Sequence, residues 1–269
     1  MELASKEAAD EMLAAGGCGA ALCECRQAGL HTEPIEYKHG DVVLEGYLAY
    51  DDSTQDKRPG VLVVHEWTGH NPYVRKRAEQ LAGLGYVAFA LDMYGKGVQA
   101  KDAKEAAQLA STYKNDRKLM RARANAGLDV LRKQPLVDTE RLAAIGYCFG
   151  GTTVLELARG GADLAGVVSF HGDLATPTPE DARNIKGKVL ALHGADDPFV
   201  PPAVVAAFEE EMRKGGVDWQ LVKYGGAVHS FTNPGAGNDN SRGAAYNEKA
   251  DHRSWEAMKV FFAEILKAK

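Results

Sequence analysis

No stretch of this 269-residue chain comes near the roughly 20 consecutive apolar residues that a membrane-spanning helix needs, because charges or glycines interrupt each apolar run. A membrane association is therefore not expected. Charge of neither sign is gathered into a block. With 32 Lys and Arg against 37 Asp and Glu spread along the sequence, there is no basic stripe, and nucleic acid is not an expected partner. The start lacks the basic residues and apolar middle of a secretory leader, since Glu2, Lys6, Glu7, Asp10 and Glu11 crowd it, so a cytoplasmic location is expected. Cysteine is scarce: Cys18, Cys23 and Cys25 cluster in a Gly/Ala-rich segment and Cys148 stands alone, which is no disulfide framework. The clustered three, even with His31, do not form the paired C-x-x-C units of a zinc site, so no metal is expected. Residues 1–33 read as a mobile extension ahead of a single domain over 34–269.

What is present is an alternation of two periodicities. Ile35–Lys38 and Val42–Tyr50 read as a hairpin turning at His39-Gly40-Asp41. The unbroken apolar run Val61–Val64 reads as a central strand covered on both faces. Helical spacing from Pro72 to Leu84 follows, then a strand over Tyr86–Leu91, one helical region over Lys101–Lys133 and a strand over Arg141–Gly146. The alternation continues with strands at Leu164–His171, Lys188–His193 and Val217–Tyr224, and with helices at Thr152–Arg159, Pro202–Lys214 and Ser254–Lys267. The pattern predicts an α/β fold, a doubly wound and mostly parallel sheet with an antiparallel N-terminal hairpin, whose ligands bind beyond the carboxyl ends of the strands.

At one such strand end stands Gly146-Tyr147-Cys148-Phe149-Gly150-Gly151, a G-x-nucleophile-x-G sequence between a predicted strand and a predicted helix. A nucleophile there occupies a sharp turn that only small neighbours permit, and Gly146, Gly150 and Gly151 supply them. The free N–H groups of the following helix favour a thiolate and can hold an oxyanion, with the Phe149 N–H as one donor. Such elbows order their partners nucleophile, acid, histidine along the chain, and this sequence offers Asp196 or Asp197 and then His229 in that order. Asp197 is preferred over Asp196, which is read as a solvated turn residue. A neutral His229 acting as base predicts a rate that is lost on the acid side of its pKa. The Trp67 N–H, after the first central strand, is the second expected oxyanion donor, and Glu66 beside it is a carboxylate placed to influence the thiol. His65, Tyr147, His171, Phe199 and Phe231 are candidate pocket residues. Arg75 and Arg77 lie on a helix and are expected in solvent.

Together, Glu66, the cysteine elbow, Asp197-Pro198-Phe199-Val200-Pro201 and His229-Ser230-Phe231 resemble the dienelactone hydrolase (carboxymethylenebutenolidase) family from about Ile35 to Leu266. The resemblance implies an α/β-hydrolase fold and a cofactor-free hydrolase of a small ester or lactone, working as a monomer or homodimer through a thioester at Cys148. It also implies that the cysteine rests as a thiol near Glu66. Dienelactone-specific members carry an arginine shortly after the histidine, where this chain has Asn233. The other readings of the same residues are a non-hydrolytic ligand-binding or regulatory protein, and acyl-transfer or redox chemistry at Cys148.

Overall fold

The computed structural model describes residues 29–267, so residues 1–28 of the expected extension, with the three cysteines in them, lie outside the described residues. The hairpin comprises β1 (Leu30–His39) and β2 (Val42–Asp51), antiparallel from Leu30 opposite Asp51 to His39 opposite Val42. It begins five residues earlier than the alternation at Ile35 suggested. Leu30–Glu33, read from sequence as part of the extension, are strand residues, and the His31 ring stacks on Tyr50. Beyond it come β3 (Arg58–Val64), β4 (Val87–Leu91), β5 (Val137–Tyr147), β6 (Gly166–Phe170), β7 (Lys188–Gly194) and β8 (Trp219–Tyr224). One eight-stranded sheet has the order β1-β2-β4-β3-β5-β6-β7-β8. β2 pairs antiparallel with β4, and every pairing from β4 through β8 is parallel.

Helices cover both faces. Side chains alternate along a strand, so Val61 and Val63 of β3 pack toward α1 (Pro72–Ala82) and α6 (Glu248–Ile265). Leu62 and Val64 pack into the opposite layer, with α2 (Ala103–Lys114), α3 (Arg117–Arg132), α4 (Phe149–Arg159) and α5 (Pro202–Gly215). The single helical region expected over Lys101–Lys133 is two helices, because Asp116 caps α3 by accepting the Leu119 N–H and breaks the run. α6 likewise starts six residues before Ser254, where the Asn247 side chain accepts the Ala250 N–H. The result is the α/β fold read from the sequence, with the carboxyl ends of β3, β5, β6, β7 and β8 converging on one edge.

Candidate active site

Cys148 occupies the turn between β5 and α4 with φ 54° and ψ −114°. That conformation costs a non-glycine residue about 1–3 kcal/mol and persists only where the surroundings enforce it. The enforcing contact is close packing of backbone. A Cβ on Gly146 would overlap the Gly150 carbonyl, and a Cβ on Gly150 would overlap the Val64 carbonyl at the end of β3. The turn leaves Cys148 half-buried at the rim, its sulfur 3.1 Å from Nε2 of His229.

His229 lies beyond β8 in a loop held by two backbone bonds, from its N–H to the Gly243 carbonyl and from the Ala245 N–H to its own carbonyl. Its Nδ1 is 2.8 Å from Oδ2 of Asp197, whose Oδ1 accepts the Phe199 N–H. Asp196 is exposed and accepts the Gly226 N–H, as its reading as a turn residue anticipates. Burial by itself holds the His229 imidazole down, but the Cys148 sulfur and the Asp197 carboxylate outweigh burial and push its pKa up to about 10.

The loop after β3 leaves a peptide N–H free. The His65 ring is buried with Nε2 accepting the Met93 N–H, so its proton sits on Nδ1 and is donated to the Glu66 carbonyl at 2.6 Å. That carbonyl also accepts the Gly69 N–H. A trans peptide sets its N–H opposite its C=O, so the Trp67 N–H is turned away from these partners. Among the described residues neither the Trp67 nor the Phe149 N–H has an acceptor. An unpaired N–H donor is the kind of group that can hold an oxygen gaining charge, and the Phe149 N–H follows Cys148 directly in the chain.

Glu66 has hydrogen-bond partners in the loop after His229. Its carboxylate accepts the Asn233 amide at 2.5 Å and the Ser230 hydroxyl at 3.4 Å. Burial raises its pKa, against the pull of Asn233 and His229. Asn233 thus occupies the position after the histidine and binds the protein's own carboxylate. Glu66, Trp67, Tyr73, Ser230, Asn233 and Arg242 line a crevice of about 640 Å³.

The candidate pocket residues divide. Phe199 is 59% exposed with its ring edge-on to His229, whereas His65, Tyr147, His171 and Phe231 are wholly buried and form no part of the open crevice. Arg77 is the converse correction. It is buried rather than solvated, its guanidinium reaching Asp251 at 2.6 Å and the Thr232 carbonyl at 2.8 Å and lying over the Tyr147 ring. Sequence reading also missed Ser230, Tyr73 and Thr232. The one available signal for Arg77 was its helical phase with Val74, Ala78 and Leu81, all buried on α1.

The dienelactone hydrolase family model matches residues 44–266. The solved structure named m3DLH is 44% identical with a TM-score of 0.86 over 89% of this chain and 100% of its own. P91, a dienelactone hydrolase-like promiscuous phosphotriesterase from metagenomic libraries, is 43% identical with a TM-score of 0.85, again over 89% and 100%. Protein usf of Aquifex pyrophilus is 29% identical over 86% of this chain and 98% of its own length. On its matched span and on the fold, this chain belongs to the dienelactone hydrolase family.

Proposed function

We propose that this hydrolase cleaves small esters or lactones through a thioester at Cys148, with His229 and Asp197 completing the machinery. The observation that carries this reading is the series of sulfur, imidazole and carboxylate, 3.1 and 2.8 Å apart, together with Trp67 and Phe149 N–H groups that have no acceptor among the described residues. In this reading the pair rests as thiolate and imidazolium, the sulfur 3.1 Å from Nε2 and the Asp197 carboxylate on the other side of the ring at Nδ1. The thiolate attacks the carbonyl carbon and forms the C–S bond, while the carbonyl electron pair moves onto oxygen between the Trp67 and Phe149 N–H groups. Collapse expels the alcohol oxygen, which takes the proton from His229. The neutral imidazole then accepts a proton from water as the water attacks the thioester, and the thiolate leaves. Glu66 is held by Asn233 and Ser230, which accounts for its carboxylate without the sulfur as a partner. Incubating the protein with an ester and lactone library should add the mass of an acyl group at Cys148, with Cys148→Ser trapping it longer. A full library that leaves no adduct despite turnover would overturn the thioester.

This resting pair reverses the pH dependence that a neutral His229 would give. The imidazolium is the proton donor to the leaving group and its pKa is raised, so activity is present below about pH 10 and is lost as pH rises through that value. The kcat/KM for an aryl ester, corrected for spontaneous hydrolysis, should be flat between about pH 5 and 8. An acid limb within that range would mean that the pair rests neutral.

A phosphotriester is a second substrate class, favoured by the named activity of P91 at 43% identity. The same thiolate and N–H donors suit attack at phosphorus. A p-nitrophenyl phosphotriester included in the panel decides it by Cys148-dependent release of nitrophenolate.

A further inference from the structure

Beneath the cysteine and histidine lies a second histidine that the chemistry above does not use. His171 follows β6, is wholly buried, and stands edge-on to both His229, at 5.4 Å between ring centroids, and Phe231, at 5.1 Å. We propose that His171 is a positioning residue, a strut between the loop that carries Cys148 and the loop that carries His229, and that it sets the separation of their reacting atoms. The inference rests on Cys148 acting as the nucleophile.

The strut has two ends, and hydrogen-bond chemistry fixes the role of each. At one end Nδ1 accepts the Cys148 N–H at 3.1 Å, a donor it shares with the Phe170 carbonyl. A peptide N–H can only donate, so Nδ1 carries the lone pair and the ring proton is on Nε2. At the other end this Nε2–H is donated to Oγ1 of Thr232 at 2.7 Å. The Thr232 hydroxyl passes its own proton to the Tyr73 oxygen at 2.6 Å, and Tyr73 donates to the Thr232 carbonyl. Arg77 closes the network by donating to the Tyr73 oxygen and the Thr232 carbonyl, while Asp251 balances its charge. Every donor meets an acceptor only when His171 is neutral and protonated on Nε2. Burial, with His229 and Arg77 nearby, holds its pKa well down and preserves that form.

Backbone strain marks the same structure. Among the described residues, the non-glycine positions with positive φ are Cys148 at 54°, His171 at 40° and Ser230 at 55°. These are the elbow, the strut and the residue next to His229. Each conformation is unfavourable by about 1–3 kcal/mol for an ordinary residue and persists only when its neighbours dictate it. The strain is confined to the path that connects the two reacting side chains.

His171→Phe keeps an aromatic ring of similar size and removes both hydrogen bonds. The expected result is a kcat on an aryl ester lowered about 100-fold, the loss that a displacement of about 1 Å produces, with KM within about threefold of the parent. The thiolate absorbance of Cys148, followed near 240 nm without substrate, should appear at higher pH, the sulfur holding its proton at least about tenfold more tightly as the imidazolium moves away. Thr232→Val cuts only the far end and should lower kcat about tenfold while moving the thiol titration the same way. This variant carries the test if His171→Phe does not fold. A lowered melting temperature with unchanged kcat and unchanged thiol titration in the folded variants would reduce His171 to core packing and overturn the proposal. Cys148→Ala, run alongside, separates the two claims. If it retains activity, the nucleophile assignment fails; if it is inactive while both other variants behave as the parent, only the strut fails.

Discussion

Cys148→Ala should hydrolyse an aryl ester at least about 10⁴-fold more slowly than the parent protein, with a melting temperature within a few degrees of it. The size of the effect follows from the way the site is built. In the proposed cycle His229, Asp197 and the two N–H donors act on a covalent intermediate that this variant cannot form, so removing the sulfur would silence groups that remain in place. What survives is the contribution of substrate binding and the oxyanion donors to direct attack by water. Stability is spared because the sulfur makes one hydrogen bond at a half-buried position and the elbow is enforced by backbone contacts at Gly146 and Gly150. Cys148→Ser should fall between the two, since a serine hydroxyl does not ionise against an imidazolium. Stopped assays with purified protein at matched concentration check it. Undiminished hydrolysis by the alanine variant would remove Cys148 from the reaction. Saturable ligand binding without turnover or acyl adduct, in the parent itself, would instead favour a binding or regulatory protein.

Arg159→Met should be the most destabilising single change away from the crevice, by about 3–5 kcal/mol. Arg159 is wholly buried on the last turn of α4 and makes ion pairs with Glu156 and Glu211, at 3.1 and 2.7 Å. Methionine fills much of the volume and leaves the charges uneven. Glu156 keeps Arg121 at 2.7 Å, whereas Glu211 loses the guanidinium that donates to both of its oxygens. Burial raises the Glu211 pKa even with the arginine present, and without it the carboxylate is stranded. The sign of the pH dependence follows. An acid whose folded pKa is raised above its unfolded value destabilises the fold above that unfolded value, and the penalty lessens as falling pH protonates it. Thermal denaturation should therefore show a loss on the order of 10 °C near neutrality that narrows toward about pH 5. Arg159→Met with Glu211→Gln should recover part of the difference. A single variant that melts with the parent at every pH would mean that the buried pair is replaceable by apolar packing.

The elbow and its partners were legible in the sequence because their signals are local. Gly146, Cys148 and Gly150 fall within five residues at a strand end, and Asp197 and His229 each follow an apolar strand. The buried support was not legible, because it depends on distant pairs. Arg77 reads as a solvated helix residue until Asp251, 174 positions on, is folded beneath it. His171 reads as a pocket residue until its left-handed backbone and Thr232, 61 positions away, turn the ring inward. Glu66 was correctly placed on its loop, but the direction of its carboxylate depends on Ser230 and Asn233 across the crevice. The split between α2 and α3 shows a different limit. Charged and apolar residues keep helical spacing across it, and only the capping geometry of Asp116 sets the boundary.

The sulfur and its imidazole partner are 81 residues apart in the chain, with β6, β7 and β8 emerging between them. A nascent chain that has completed β5 and α4 carries the cysteine but not the imidazole that contacts its sulfur, which in the proposed cycle sustains the thiolate. Alkylation of Cys148 thus becomes a clock for assembly. During refolding, rapid reaction with iodoacetamide should appear only after β8 has docked and its trailing loop has closed on Gly243, however early the rest of the sheet has formed.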